Sequence, residues 1–169
     1  IKTANSDLLV LLRQVDGLGL NYEEALELTG KVNTVAAARA ALELGPRFVV
    51  VKKGEHGCVL AHREGGTGRL AGLASLPAFP SDTVVDPTGA GDSFAGGMMG
   101  SLAAGGAGSS GAGGGATDPG SFEAVRRALI AGTVVASFTI EAFSLDRLTT
   151  LTRAEIDTRV GEYVGMVRA

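Results

Sequence analysis

Apolar positions change their spacing along this chain, and each change predicts an element. Leu8, Leu9, Leu11 and Leu12 supply one side of a short helix that Asn5 or Ser6 can cap and that runs to Arg13. The small, apolar run from Val15 to Leu20 predicts a short buried strand interrupted by glycines, with Asn21 ending it. Tyr22 to Thr29 carries Ala25, Leu26 and Leu28 at helical spacing, and Gly30 stands where a C-cap belongs. Thr34 to Leu44 repeats the pattern with Val35, Ala38, Ala41 and Leu42, closed by Gly45-Pro46.

Arg47 to Lys53 contains the unbroken run Phe48-Val49-Val50-Val51, which predicts a strand covered on both faces, as in a parallel sheet. Gly54-Glu55-His56-Gly57 then reads as a hairpin connection to a strand over Cys58–Ala61. Residues 69–73 and 76–79 predict short extended pieces, and Val84-Val85 the end of a further strand. Phe94 to Leu102 predicts a helix so rich in glycine that close packing against the sheet is needed to compensate, at roughly 1 kcal/mol per glycine. Residues 103–120 are low in complexity and predict a flexible glycine-rich loop. Ser121 caps a long helix to about Ala142, and Thr152-Arg153-Ala154-Glu155 is a capping box opening a closing helix.

With 169 residues and a formal charge of −3, the chain suits one ordinary domain and does not suggest a nucleic-acid partner. The single cysteine, Cys58, excludes an internal disulfide framework and fits a core position in a reducing compartment. No apolar run approaches the ~20 residues that span a bilayer, and no leader of secretory type is found. A soluble, cytoplasmic protein without a membrane partner is the expectation. The first residue is Ile1, so the chain is expected to begin inside a longer reading frame. His56 and His62 lack partners at metal-ligand spacing and are expected at the surface.

Chemistry concentrates in Val84–Gly97, VVDPTGAGDSFAGG. The order reads as strand end, glycine turn and helix start, where free N–H groups and the helix dipole together attract an anion. Gly89 and Gly91 let an anion approach the amides of Ala90, Gly91 and Asp92 closely. Asp92 is open to two readings: an N-cap, or a base that takes a proton from a hydroxyl attacking a phosphoryl group held by those amides. Asn21 and Glu24 likewise read either as a cap with an acidic first turn or as a functional pair. Residues 111–116 fit a dinucleotide fingerprint by spelling alone; with no preceding strand, the match is rejected.

The string Asp86-Pro87-Thr88-Gly89-Ala90-Gly91-Asp92-Ser93-Phe94 closely resembles the second signature of the PfkB (ribokinase-like) carbohydrate kinases. Asn21-Tyr22-Glu23-Glu24 resembles the NxxE motif of the same family, which implies that Glu24 helps organise Mg2+ through water. Gly54 and Gly57 match the family's glycine segment near the nucleotide phosphates. Lys52 departs from it by standing where a hydroxyl residue is usual, either as a point charge toward phosphate or as an exposed strand-end cation. The resemblance also implies that Asp86 and Thr88 help bind K+, and that Gly132, with its small neighbours, either walls the adenine or packs the core.

What the resemblance implies is an α/β, doubly wound, ribokinase-like sheet with helices on both faces. Residues 1–169 would form the nucleotide-binding and catalytic C-terminal part of such a domain, with residues 103–120 as a loop within it. The family's first signature, acidic sugar-gripping residues and lid strands normally lie before this region and are not found in the sequence. The expected function is ATP-dependent phosphorylation of an alcohol on a sugar or nucleoside. Asp92 would be the base and the amides of Gly89, Ala90 and Gly91 the anion hole. The alternative is a non-catalytic nucleotide-binding half-kinase or one part of a split enzyme. A second copy of the chain is a candidate partner.

Overall fold

The computed structural model describes residues 5–63, 70–107 and 118–168, and the chain forms two compact units, residues 1–77 and 78–169. Helix α1 (Asn5–Leu12) opens the first unit, followed by strand β1 (Gly17–Asn21), helices α2 (Tyr22–Thr29) and α3 (Thr34–Leu42), and strands β2 (Phe48–Lys52), β3 (Cys58–Arg63) and β4 (Leu70–Leu76). The strands form one sheet in the order β1-β2-β3-β4. The first pair is parallel and the other two antiparallel, so the sheet is mixed.

Local sequence accounts for most boundaries. Asn21 and Asn33 cap α2 and α3 with their side chains, and Gly30 ends α2 at φ 67°, a left-handed conformation natural to glycine. Gly45, at φ 149°, passes so close to α1 that a Cβ would stand 2.5 Å from the Leu12 carbonyl oxygen. Leu20, Val49, Val51, Val59 and Ala61 project from one face of the sheet onto Ala25, Ala37, Ala38, Ala41 and Leu42 of α2 and α3. On the other face Phe48, Val50, Cys58 and Leu60 are also buried. The fully apolar run of β2 is therefore covered on both sides, although only one of its neighbours is parallel.

His62 overturns the surface expectation. Strand β3 continues beyond Ala61, pairing His62 with Phe48 and Gly72, and period-two alternation turns it to the same face as buried Leu60. His56 does lie exposed in a 3-10 turn, Gly54–His56. Of the two expected extended pieces, the first (69–73) lies within the single strand β4, which ends at Leu76; residues 77–79 of the second form no strand, and Arg69 lies outside the described residues.

The second unit is helical among its described residues: α4 (Ala90–Ala107), α5 (Phe122–Thr139), a short α6 (Asp146–Thr150) and α7 (Arg153–Val167). Val84 and Val85 form no strand and are exposed. Val85 instead donates its N–H to the Ile140 carbonyl at the end of α5, 2.7 Å away. Residues 103–107, expected in the glycine-rich loop, continue α4; residues 108–117, including the rejected fingerprint, lie outside the described residues.

The glycines of α4 are compensated by a helix. A Cβ at Gly97 would meet the Val135 side chain at 3.0 Å and the Ala131 carbonyl oxygen at 3.1 Å, so α4 and α5 approach backbone to backbone. Phe94 and Met98 of α4 and Leu129 and Phe138 of α5 are buried. Arg159 of α7 is pinned by Glu141 at 2.6 Å and lies over the Phe138 ring, 3.5 Å from its centre. The capping box predicted for α7 is present: Thr152 accepts from the Glu155 N–H, and the Glu155 carboxylate accepts from the Thr152 N–H.

Candidate functional site

Parallel pairing of β1 with β2 places Asn21 beside Lys52 at the carboxyl ends of both strands. In open α/β sheets, ligands bind at that edge. The chain turns from Asn21 directly into α2, and two bonds of 2.8 Å lock the turn: Glu24 N–H to Asn21 Oδ1, and Asn21 N–H to Glu24 Oε2. The cap reading is thus fulfilled. It occupies one carboxylate oxygen of an exposed side chain and leaves Oε1 without a hydrogen bond among the described residues. An outer-sphere contact to a hydrated Mg2+ requires no more than one such oxygen, since Mg2+ usually keeps several of its waters.

Lys52 is half-buried at the end of β2, and no carboxylate pairs with it among the described residues. The turn that follows is held by Lys53 N–H to the Gly57 carbonyl (2.7 Å) and Gly57 N–H to the Gly54 carbonyl (3.0 Å). Its two glycines have different reasons to be glycine. Gly57, at φ 78°, would carry a Cβ 2.0 Å from the Leu76 carbonyl oxygen, so β4 itself requires it. Gly54, at φ 57°, faces open space.

In the second unit, Asp86 to Asp92 form a turn feeding α4. Asp86 Oδ1 accepts the Thr88 N–H at 2.9 Å. That bond, with the Thr88 hydroxyl and a further bond from the Ser144 backbone N–H, holds the Asp86 carboxyl below the ordinary carboxylate range. Gly89 adopts φ 80° with nothing within 4 Å of where a Cβ would be, and Ala90 begins the helix. Asp92 is therefore the third helical residue and not the N-cap.

The amides divide in a way the sequence does not reveal. Ala90 N–H is taken by the Pro87 carbonyl at 3.2 Å, and Ser93 N–H by that of Gly89 at 2.9 Å. The N–H groups of Gly91 and Asp92 find no acceptor among the described residues, because the positions four before them precede the helix. Both residues are exposed. The Gly89 N–H of the turn likewise has no acceptor among the described residues, so of the amides expected to form an anion hole only that of Ala90 is taken, and the Asp92 carboxylate lies on the same first turn of the helix.

The profile of the pfkB family carbohydrate kinases matches residues 2–149. This chain belongs to the PfkB family. The curated cytidine kinase of Thermococcus kodakarensis is 38% identical over 79 residues, which are 47% of this chain and 26% of that protein. The Giardia lamblia ribokinase superposes with a TM-score of 0.75 at 19% identity, covering 93% of this chain and 47% of that one. The Vibrio cholerae fructokinase, solved with fructose, ADP and calcium, gives 0.73 at 18%, covering 94% and 45%. A Burkholderia thailandensis nucleoside kinase in complex with inosine gives 0.66 at 22%, covering 95% and 45%. The PfkB chain thus shares the ribokinase-like α/β fold and spans less than half the length of these relatives.

Gly132 of this PfkB chain stands apart from the other candidates. Its Cα faces α4, where a Cβ would stand 2.6 Å from the Phe94 carbonyl oxygen. The geometry gives it the packing role and leaves no room for a ring on that side. Ile140, whose carbonyl accepts from Val85 and Asp86, and Ser144, whose amide helps to lower the Asp86 pKa, carry no sequence signal at all: a carbonyl and an amide are common to nearly every residue. A serine at φ 55° is visible only in the backbone. Among the described residues, no group of three or more His, Cys, Asp or Glu is placed to hold a metal ion.

Proposed function

We propose that this PfkB chain carries the nucleotide-binding and phosphoryl-transfer machinery of an ATP-dependent kinase acting on an alcohol of a sugar or nucleoside. The observation that carries the proposal is the first turn of α4, where two N–H donors without acceptors, those of Gly91 and Asp92, accompany an exposed carboxylate. A phosphate would be drawn to the donors and repelled by the carboxylate. That combination is useless for simple binding and useful for transfer.

In the proposed reaction the Asp92 carboxylate takes the proton of the acceptor hydroxyl. The hydroxyl oxygen forms a bond to the γ-phosphorus of ATP as the bond to the β–γ bridging oxygen breaks, and ADP leaves with that electron pair. Negative charge gathers on the transferring oxygens, and the Gly91 and Asp92 amides stabilise it; one such donor is typically worth about 2.7–4 kcal/mol. Mg2+ would supply charge neutralisation on the phosphates. Glu24, fixed by Asn21, would orient its waters, while Lys52 and the Gly54–Gly57 turn would meet the nucleotide phosphates. Asp86 and Thr88 offer oxygens to K+.

Incubation of the protein with Mg·ATP and a panel of sugars and nucleosides, read by phosphorus NMR, tests the proposal. Formation of a phosphomonoester together with ADP is the expected result. Tight nucleotide binding with no transfer to any acceptor would identify a nucleotide-binding module instead. Failure to bind ATP or ADP would reject both.

A further inference from the structure

Glu141 holds a position that the reaction outlined above does not use. Its two carboxylate oxygens are divided between two cations: Oε1 lies 2.6 Å from Arg159 of α7, and Oε2 lies 3.4 Å from Arg147 of α6. Both guanidinium carbons stand over the Phe138 ring, at 3.5 and 4.8 Å from its centre. Arg159 also donates to Ser137 Oγ at 3.1 Å, and Arg147 to Glu155 at 2.6 Å. Both the Glu141 and the Arg159 side chains are about one-fifth exposed, at 23% and 18%. Ion pairs sheltered to this degree are screened less than surface pairs.

The peptide joining Ile140 to Glu141 transmits this grip. A peptide unit is planar, so fixing one side of it fixes the other. On its N–H side Glu141 donates to the Phe138 carbonyl at 3.2 Å. On its carbonyl side Ile140 accepts Val85 N–H at 2.7 Å and Asp86 N–H at 3.4 Å. Three residues after Glu141, Ser144 sits at φ 55°, a left-handed conformation uncommon for serine, and its backbone amide helps to lower the pKa of the Asp86 carboxyl. Asp86 in turn holds Thr88, directly before the Gly89 turn.

We propose that Glu141 is a positioning residue for the anion cradle: clamped by Arg147 and Arg159, it orients the Ile140 carbonyl that anchors Val85 and Asp86, and so fixes the turn presenting Gly91 and Asp92. The catalytic part of this inference rests on the kinase reading. The mechanical part does not.

The test compares wild type with Glu141→Gln, which keeps the shape and removes the charge, and with Arg159→Lys, which keeps the charge and loses the forked geometry. Arg153→Gln, which removes the exposed pair with Asp157 on the same helix, is the control. Backbone amide hydrogen exchange at Val85 should quicken at least tenfold in both clamp variants, while Leu129 and Val134 within α5 and the control are unchanged. Measured well below the unfolding temperature, kcat should fall about tenfold or more with the KM for ATP nearly constant, because the cradle acts on charge developing in transfer. A clamp that only stabilises the helices would lower the unfolding temperature and leave both Val85 exchange and kcat in place, and that result overturns the proposal. If wild type transfers no phosphoryl group, the kinase reading fails by itself, and Val85 exchange alone decides the mechanical claim. Should Glu141→Gln not fold, Arg159→Lys carries the same pair of readouts.

Discussion

Gly132 lies against the backbone of Phe94 across the α4–α5 contact, with the Phe94 carbonyl oxygen 2.6 Å from the point a Cβ would occupy. Backbone cannot swing aside as a long side chain can, so the two helices must separate to admit a methyl group. Gly132→Ala should therefore destabilise the fold by about 1–3 kcal/mol, the usual range for overpacking. At about 2–4 °C per kcal/mol for a chain of this size, calorimetry should show the unfolding temperature several degrees lower. Gly100→Ala, on the same helix pair but facing open space, is expected to hold or gain stability, since alanine favours the helix. Equal effects of the two variants would mean that the α4–α5 approach is looser than described.

Gly54 and Gly57 make a second pair with opposed expectations. Alanine at either position meets a left-handed backbone, at φ 57° and 78°, costing about 1–2 kcal/mol. Only at Gly57 does the methyl group also strike backbone, at Leu76 and Pro77. Urea unfolding should thus show Gly57→Ala clearly less stable than Gly54→Ala. Nucleotide affinity should follow the reverse logic: in Gly54→Ala, which folds, a weaker grip on ADP by calorimetric titration is expected if the open face of this turn meets phosphate. Unchanged ADP affinity would remove the turn from the nucleotide site.

Asp92→Asn tests the carboxylate's chemistry apart from the fold. The third residue of a helix needs no carboxylate for its backbone, so the fold should be kept. Phosphoryl transfer should fall by about 10²–10⁴-fold, the usual share of general base catalysis. ATP affinity should stay the same or improve, because one negative charge beside the phosphates is gone. Near-normal turnover in steady-state assays would end the assignment of Asp92 as base.

These expectations divide according to what a linear pattern can carry. Helix α2 was legible from Asn21 to Gly30, because caps are local chemistry: an Oδ1 three residues before an N–H, and a residue that tolerates positive φ. The carboxyl edge was legible too, since Asn21 and Lys52 each end an apolar run, and the sheet brings them side by side. Position 62 was misjudged because nothing within the short apolar run Cys58–Ala61 marks where a strand stops; the partner strand decides that. Val84 and Val85 misled for the converse reason. Their β-branched side chains suit a strand, but their backbone is claimed by Ile140, more than fifty residues away in sequence. That the Ala90 amide is taken by Pro87 while those of Gly89, Gly91 and Asp92 find no acceptor among the described residues depends on hydrogen bonds that no residue type specifies.

Cys58 offers the clearest pH dependence. Burial raises its thiol from the ordinary 9.0 to about 11, with only partial relief from the Lys53 charge and a backbone bond to Leu76. The folded state therefore keeps its proton where the unfolded chain has lost it. Between about pH 9 and 11 the native state binds more protons than the unfolded one, so stability falls as pH rises, and below pH 9 the thiol has no effect. At about 1.4 kcal/mol per pH unit, the loss approaches 2–3 kcal/mol at the top of that window. Lysines and tyrosines titrate there as well, so the measurement is a difference: urea midpoints of wild type and Cys58→Ala at pH 7, 9 and 11. Cys58→Ala starts lower at pH 7 from lost packing, and the gap should narrow as pH rises, because only wild type must hold a buried thiol protonated. A gap that stays constant across the three pH values would mean that Cys58 ionises freely in the folded protein, and that the β2–β3 end of the sheet admits water.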